Sequence, residues 1–374
     1  MDNKKQMRKR VTPDICLCIV VLLLVAIGLL AIYSVAATKE ISRQWRMQCI
    51  ATGIGVLGAS CLQFFDLSFT IVAERVLYIG SVAVLFFVWL FGTGKAQTGA
   101  NSWIHLGPVM LQPSEPIKVI FALVFAQKIA RMKEQGKLQK PQMVGKLVIQ
   151  FSLIFLPVIL QNDTGTAFVF LFMFVAMLFA GELNMRYFVG AFILALIAIP
   201  VLWMFLAPYQ KDRILIFLQP ETDPLGAGYQ VMQSKLSVAS GGVLGRGWMQ
   251  GVSNRFSLLP EKETDFIFGV IGEEFGFLGC LILESLLFFL CIRCLIIAEK
   301  AKDVAGKLVC VGIGAMYLFH ITENLCMCLG LLPVTGIPLP FISYGGSAQV
   351  TNLIAIGVVL NISMTAKTFR FYKH

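Results

Sequence analysis

Apolar stretches close to the roughly 20 residues that cross a bilayer recur at 15–36, 47–65, 71–91, 110–130, 145–161, 165–182, 186–208, 265–297, 306–331 and 347–365. The pattern predicts an all-α, polytopic integral membrane protein of about ten transmembrane helices, with residues 1–374 forming a single membrane domain. Polar residues interrupt the fourth, fifth and ninth of these stretches. One interval, from about Ala207 to Thr264, is too polar to span. Loops beyond ~12–15 residues in a compact domain are usually functional or disordered. This one, 209–264, holds Tyr229, Trp248, Phe256 and Leu259, and its Tyr229–Ser240 segment has amphipathic helical spacing. It is predicted to be an ordered lid lying partly on the membrane surface.

Composition supports the membrane reading. Of 374 residues, 57% are hydrophobic and only 14% charged, with a mean hydropathy of +0.79, whereas soluble domains carry about 25% charged residues. The net charge of +10 could suggest a nucleic-acid partner, but the positions of the basic residues argue against one. They cluster at Lys4–Arg10, between Lys128 and Lys146, between Arg293 and Lys307, and at Lys367–Lys373. With ten spans, all these segments fall on one side, while the opposite short loops hold only Lys39, Arg43, Arg46 and Lys95. The positive-inside rule then puts both termini in the cytoplasm and the long loop outside. The first apolar run follows a basic segment but is too long for a signal-peptide core, so it is read as a span. Most of the 10 cysteines sit in apolar runs and read as buried filler. Cys291 and Cys294 have no second pair to complete a zinc or redox site.

Charges inside a bilayer are functional candidates by default. Lys118 lies near the outer end of the fourth span, and Glu115, three residues earlier, shares its helical face. The two form either a self-contained pair at a helix start or part of a cavity in which Lys118 also balances a second acid. Asp265, where the long loop re-enters the membrane, is the candidate for that acid. Partial burial raises such a carboxyl's pKa and a nearby lysine lowers it, a balance suited to a general base. Thr264 or Asp265 is equally placed to cap the eighth helix. Glu273 and Glu274 lie about two turns into that helix, one positioned to line a cavity and the other to pair internally. Asp163 begins the sixth span as a cap, and His320 and Glu323 share a face of the ninth span and could pair. Gly241–Gly247 resembles a phosphate-binding loop but follows no predicted strand, so its glycines are read as allowing close approach of the backbone to membrane or substrate. Pro338–Ser347 disfavours helix and reads as an irregular outer segment, tolerated at membrane depth where it lines a cavity.

Several blocks now converge. Gly99–Ile104, Gln112–Lys118, Asp163–Thr166, Tyr229–Ser234, Gly241–Trp248, Leu259–Phe268, Gly272–Gly276 and Pro333–Ser347 resemble, in order and over nearly the whole chain, the signature blocks of the SEDS (RodA/FtsW/SpoVE) family. The resemblance implies a peptidoglycan glycan-strand polymerase. Such an enzyme uses lipid II at the outer face of the cytoplasmic membrane, with membrane lipids around it and a class B penicillin-binding protein as partner. It places Asp265 at the family's essential aspartate, and Glu115 and Lys118 in the same cavity. Gln233, Ser234, Glu261 and Ser343, inside the matched blocks, join them as substrate-binding candidates. Many members have Arg where this chain has Ser102, so the cation for the pyrophosphate would come from Arg213, Arg246 or Lys118. A divalent cation, magnesium or manganese, is compatible with the chemistry; Asp265 is the one candidate ligand, and no nucleotide cofactor is expected. The readings from other classes are a lipid II flippase, which needs polar groups reaching the inner half of the bundle, and a non-catalytic scaffold for a transpeptidase.

Overall fold

The structure is a computed structural model that describes residues 13–35, 41–65, 69–94, 100–107, 109–205, 211, 215–223, 226–255 and 259–371. The long helices in the described residues fall where the apolar stretches predict them. They are α1 (Ile15–Val35), α2 (Ile41–Leu62), α3 (Phe69–Phe91), α4 (Ser114–Glu134), α5 (Pro141–Leu160), α6 (Thr164–Ala180) and α7 (Met185–Phe205). The long loop carries α8 (Ala227–Ser240) and the single turn α9 (Val252–Arg255). It is followed by α10 (Ile267–Glu299), α11 (Val304–Cys328) and α12 (Gly346–Phe371). Six of these (α1, α3, α5, α10, α11 and α12) are long and apolar enough by themselves to cross a membrane. Shorter apolar helices come from α6 and α7, and α2 and α4 carry more polar residues.

One element escaped the periodicity. Strands β1 (Ile104–Leu106) and β2 (Val109–Leu111) form a small antiparallel hairpin with Ile104 opposite Leu111. The fourth span therefore begins at Ser114 rather than near residue 110. The apolar run was read through the hairpin because three-residue strands leave no period to detect.

The bundle is organised around α11, which packs against α10, α6 and α4, while α12 lies along α2 and α1 along α10. Its surface is apolar and its polar groups are inside. Leu57, Val72, Ile79, Leu90, Phe192 and Ile197 are exposed, whereas Glu115, Lys118, Glu273, Glu274, His320 and Glu323 are buried. That inversion is expected when the solvent is hydrocarbon. Phe121, Phe125, Phe151 and Phe174 knit α4 to α5 and α6, with centroids 6.2 Å apart for Phe121–Phe151 and 5.6 Å for Phe125–Phe174. Contacts of this kind fix the rotation of α4 and hence the face on which Lys118 lies.

The long loop is ordered where it is described, as its pattern predicts. On α8, Gly228, Val231, Ser234 and Ser237 are buried, facing the bundle. Trp248 stacks on Tyr33 of α1 at 5.9 Å. The glycine-rich segment makes its close backbone approach to a break in α10, a partner within the chain rather than the membrane or substrate expected from the sequence. At Gly276 the helix leaves helical geometry (φ 65°, ψ −164°). The amides of Arg246 and Gly247 donate to the carbonyls of Glu273 and Glu274, both at 3.0 Å. The amides of Phe277 and Leu278 donate to the carbonyls of Gly242 and Val243, at 2.9 and 3.2 Å. The loop thus supplies the partners that the break removes, as backbone at membrane depth requires. A Cβ on Gly245 would stand 2.2 Å from the Glu274 carbonyl oxygen, and the φ of +79° already disfavours any side chain there.

Gly245→Val is therefore expected to destabilise the fold by at least the ~1–3 kcal/mol of a left-handed non-glycine residue. It should lower the melting midpoint in detergent by several degrees, whereas Gly242→Ala, with the same left-handed strain (φ +56°) but open space around its Cβ, lacks the clash and should shift it less.

Candidate active site

Glu115, Lys118, Asp163, Asp265, His320 and Glu323 lie at the end of the bundle where α4, α6, α10 and α12 begin and α11 ends. In one half of the site, the Lys118 ammonium donates to Glu115 Oε1 at 2.7 Å, and both side chains are almost fully buried. It also lies 2.9 Å from His320 Nε2, while His320 Nδ1 is 3.4 Å from the Pro338 carbonyl. An ammonium has only donors, so Nε2 accepts and the ring proton sits on Nδ1, facing Pro338. Asp163 closes this half. Its Oδ1 caps α6 by accepting from the Thr166 amide at 3.2 Å, and its Oδ2 accepts from Gln112 Nε2 at 2.8 Å. Burial pushes the Asp163 carboxyl up, against the Thr166 hydrogen bonds and the Lys118 charge, which lower it.

In the other half, Asp265 is partly exposed. Its carbonyl accepts from Asn324 Nδ2 at 2.9 Å and from Cys328 Sγ at 3.4 Å, both on α11. Asn324 Nδ2 also donates to the Ile337 carbonyl at 2.8 Å, so one side chain pins the entry to α10 and the 333–343 loop together. Gly336 of that loop lies beside Asp265; a Cβ there would be 3.4 Å from Asp265 Oδ2. Next to it, the Thr335 hydroxyl donates to Glu323 Oε1. Glu323 is buried, its Oε2 has no hydrogen-bond partner among the described residues, and the Asp265 charge acts on it.

Two expectations are corrected here. The N-cap of α10 is Phe266, with no side-chain capping bond, so neither Thr264 nor Asp265 caps it. The Thr264 hydroxyl turns back to Glu261 instead. His320 and Glu323 share α11 but do not pair with each other; each serves a different half of the site.

The remaining predicted residues are dispersed. Ser234 is fully buried and donates to the Cys328 carbonyl at 2.9 Å, holding α8 to α11, while Gln233 beside it is half-buried. Arg246 is partly exposed, 3.9 Å from Glu273. Glu261 is exposed and lies in a left-handed turn (φ 48°). Ser343 Oγ accepts from the Leu339 amide at 2.8 Å and shapes the last loop. Arg213 lies outside the described residues. Ser102, where many SEDS members have Arg, is buried. Neither helix acid reaches the site: Glu273 accepts the Val252 and Ser253 amides of α9, and Glu274 accepts from Ser34 of α1. Asn324, Thr335 and Gln112 went unnoticed in the sequence; the signal for Asn324 was a polar amide inside an apolar span.

A family profile described as "Cell cycle protein", covering FtsW, RodA and SpoVE, matches residues 14–368. The chain belongs to the FtsW/RodA/SpoVE family. It is 33% identical over 364 residues to the peptidoglycan glycosyltransferase MrdB of Escherichia coli K12, covering 96% of each chain. It is 35% identical over 361 residues to stage V sporulation protein E of Bacillus subtilis 168, covering 95% of this chain and 98% of that one. Its structure matches a chain from a study of how a peptidoglycan synthase complex coordinates polymerization and crosslinking. The TM-score is 0.81 at 31% identity, covering 95% of this chain and 98% of that one. It also matches the rod shape determining protein RodA of Thermus thermophilus with a TM-score of 0.70 at 27% identity, covering 94% and 97%. As a member of this family, the chain is a polytopic membrane protein.

Removing one partner of a buried ion pair leaves the other charge uncompensated, at a cost of about 3–5 kcal/mol. Lys118→Met should therefore lower thermal stability strongly. Adding Glu115→Gln should restore part of that loss without restoring polymer synthesis, a pattern read from melting curves beside a glycan gel.

Proposed function

We propose that this protein is a peptidoglycan glycosyltransferase that polymerises lipid II at the outer face of the cytoplasmic membrane, with both termini in the cytoplasm. The observation that carries the reading is the placement of the Glu115–Lys118 pair, Asp163 and Asp265 at one end of the bundle, Lys118 turning to His320 rather than to Asp265, in a chain aligned over 96% of its length with MrdB. The one-sided distribution of loop lysines and arginines supports the orientation.

In the proposed reaction, a sugar 4-hydroxyl of one lipid-linked disaccharide attacks the anomeric carbon of the growing chain. The new C–O bond forms as the bond to undecaprenyl pyrophosphate breaks, with inversion at carbon. Asp265, partly exposed and anchored through its backbone to α11, accepts the hydroxyl proton. Lys118 stabilises charge developing on the pyrophosphate, from a site dry enough for that charge to count. Asp265 and Glu323, whose second carboxylate oxygen is buried without a partner, are the residues that would hold a divalent cation. Two carboxylates together with substrate phosphates suit magnesium, and such a cation would add positive charge at the leaving group. The lipid tails lie in the bilayer, which is why the site sits at the membrane surface. A class B penicillin-binding protein is the proposed partner, supported by the match to a chain of a peptidoglycan synthase complex. The RodA and MrdB similarities favour a role in cell elongation and shape.

Purified protein with a class B penicillin-binding protein, lipid II and a divalent cation is expected to yield glycan polymer on a gel. Asp265→Ala should reduce it by roughly 10²–10⁴-fold, the scale of a lost general base. Polymer from a folded Asp265→Ala protein would remove Asp265 from the base's role. No polymer from the unsubstituted protein with a matched partner would favour a flippase or scaffold.

A further inference from the structure

The Lys118 ammonium has three N–H donors. One meets Glu115 at 2.7 Å and one meets His320 at 2.9 Å; the third has no partner among the described residues. With two directions fixed on a tetrahedral nitrogen, the third is fixed as well. We propose that His320 is a positioning residue: as a neutral imidazole protonated on Nδ1, it ties the direction of the Lys118 ammonium to the 333–343 loop and so aims the remaining N–H at a phosphate oxygen of the substrate. The identity of that oxygen rests on the polymerase reading above; the coupling of lysine, histidine and loop does not.

Three observations carry the inference. The first is polarity. An imidazolium would set two cations 2.9 Å apart beside a single carboxylate, so the neutral ring with its lone pair on Nε2 is the form that fits. The second is the other end of the ring, which faces the Pro338 carbonyl at 3.4 Å. That carbonyl is held in place from both sides. Asn324 grips the Ile337 carbonyl, and the Leu339 amide is tied to Ser343 Oγ at 2.8 Å. The third is that the same loop places Gly336 against Asp265 and Thr335 against Glu323. A shift of the loop would thus move the surroundings of the base and turn the imidazole together. His320 is the only side chain in the described residues that hydrogen-bonds both Lys118 and this loop. A histidine that merely filled a core would need neither contact.

The test uses the full-length protein with its transpeptidase partner and two variants. In His320→Gln, an amide replaces the ring, with an oxygen to accept from Lys118 and a nitrogen to donate to Pro338. In His320→Phe, the ring is kept and both nitrogens are lost. Steady-state polymerisation is expected to show His320→Gln within about threefold of the unsubstituted protein. His320→Phe should lose kcat on the order of 10²-fold, the effect of misdirecting a positioned group, with KM for lipid II little changed. Folding of both variants is checked by melting curves. A folded His320→Phe protein with unchanged kcat, or a His320→Gln protein as impaired as His320→Phe, would overturn the proposal. A readout independent of activity is nitrogen NMR of histidine-labelled protein. The chain has three histidines, and the His320 signal is assigned by its loss in His320→Gln. It should report a neutral ring protonated on Nδ1, and the tautomer should change in Lys118→Met. An Nε2-protonated ring in the unsubstituted protein would refute the coupling, even if the protein made no polymer at all.

Discussion

One constraint shapes this end of the bundle: a lysine ammonium buried among membrane helices. Its hydration must be replaced by protein groups, because an isolated charge in so apolar a setting is strongly disfavoured. Glu115 on the same helix supplies the counter-charge, and His320 supplies a lone pair without adding charge. The aromatic contacts of Phe121 and Phe125 with α5 and α6 keep α4 from rotating Lys118 away. Because His320 leans on Pro338, the irregular segment before α12 belongs to the same arrangement rather than being an ordinary connection.

The second half of the site is built by a different logic. Asp265 is placed by its backbone, through Asn324 and Cys328, and not by capping the helix that follows. Asp163, by contrast, is placed through its side chain, which caps α6. The two acids look alike in sequence, each standing just before an apolar span. The structure separates them: Asp163 caps a helix, and Asp265 stands partly exposed beside Gly336.

How much could be read beforehand follows from the range of each interaction. The ten long helices, the lid with its amphipathic segment and the Glu115–Lys118 pair come from local periodicity and i,i+3 spacing, and all are present. The pairing of His320 with Lys118 joins residues 202 positions apart, and no local pattern encodes it. A shared helical face suggested His320–Glu323 instead, yet each side chain found a nearer partner on another element. Ser234 lies in a motif that reads as functional, and its hydroxyl joins α8 to α11 through the Cys328 carbonyl, a contact 94 positions apart that no local pattern shows. The hairpin at 104–111 was invisible because its strands are too short to show alternation.

The broken helix has a consequence for how the outer loop behaves. Four backbone hydrogen bonds pass between the 242–247 segment and the two sides of the break at Gly276. Each would leave an unpaired backbone group in a low-dielectric region if the loop lifted, at several kcal/mol apiece. This stretch therefore does not swing like a flap. It and α10 open together or not at all, as one cooperative unit.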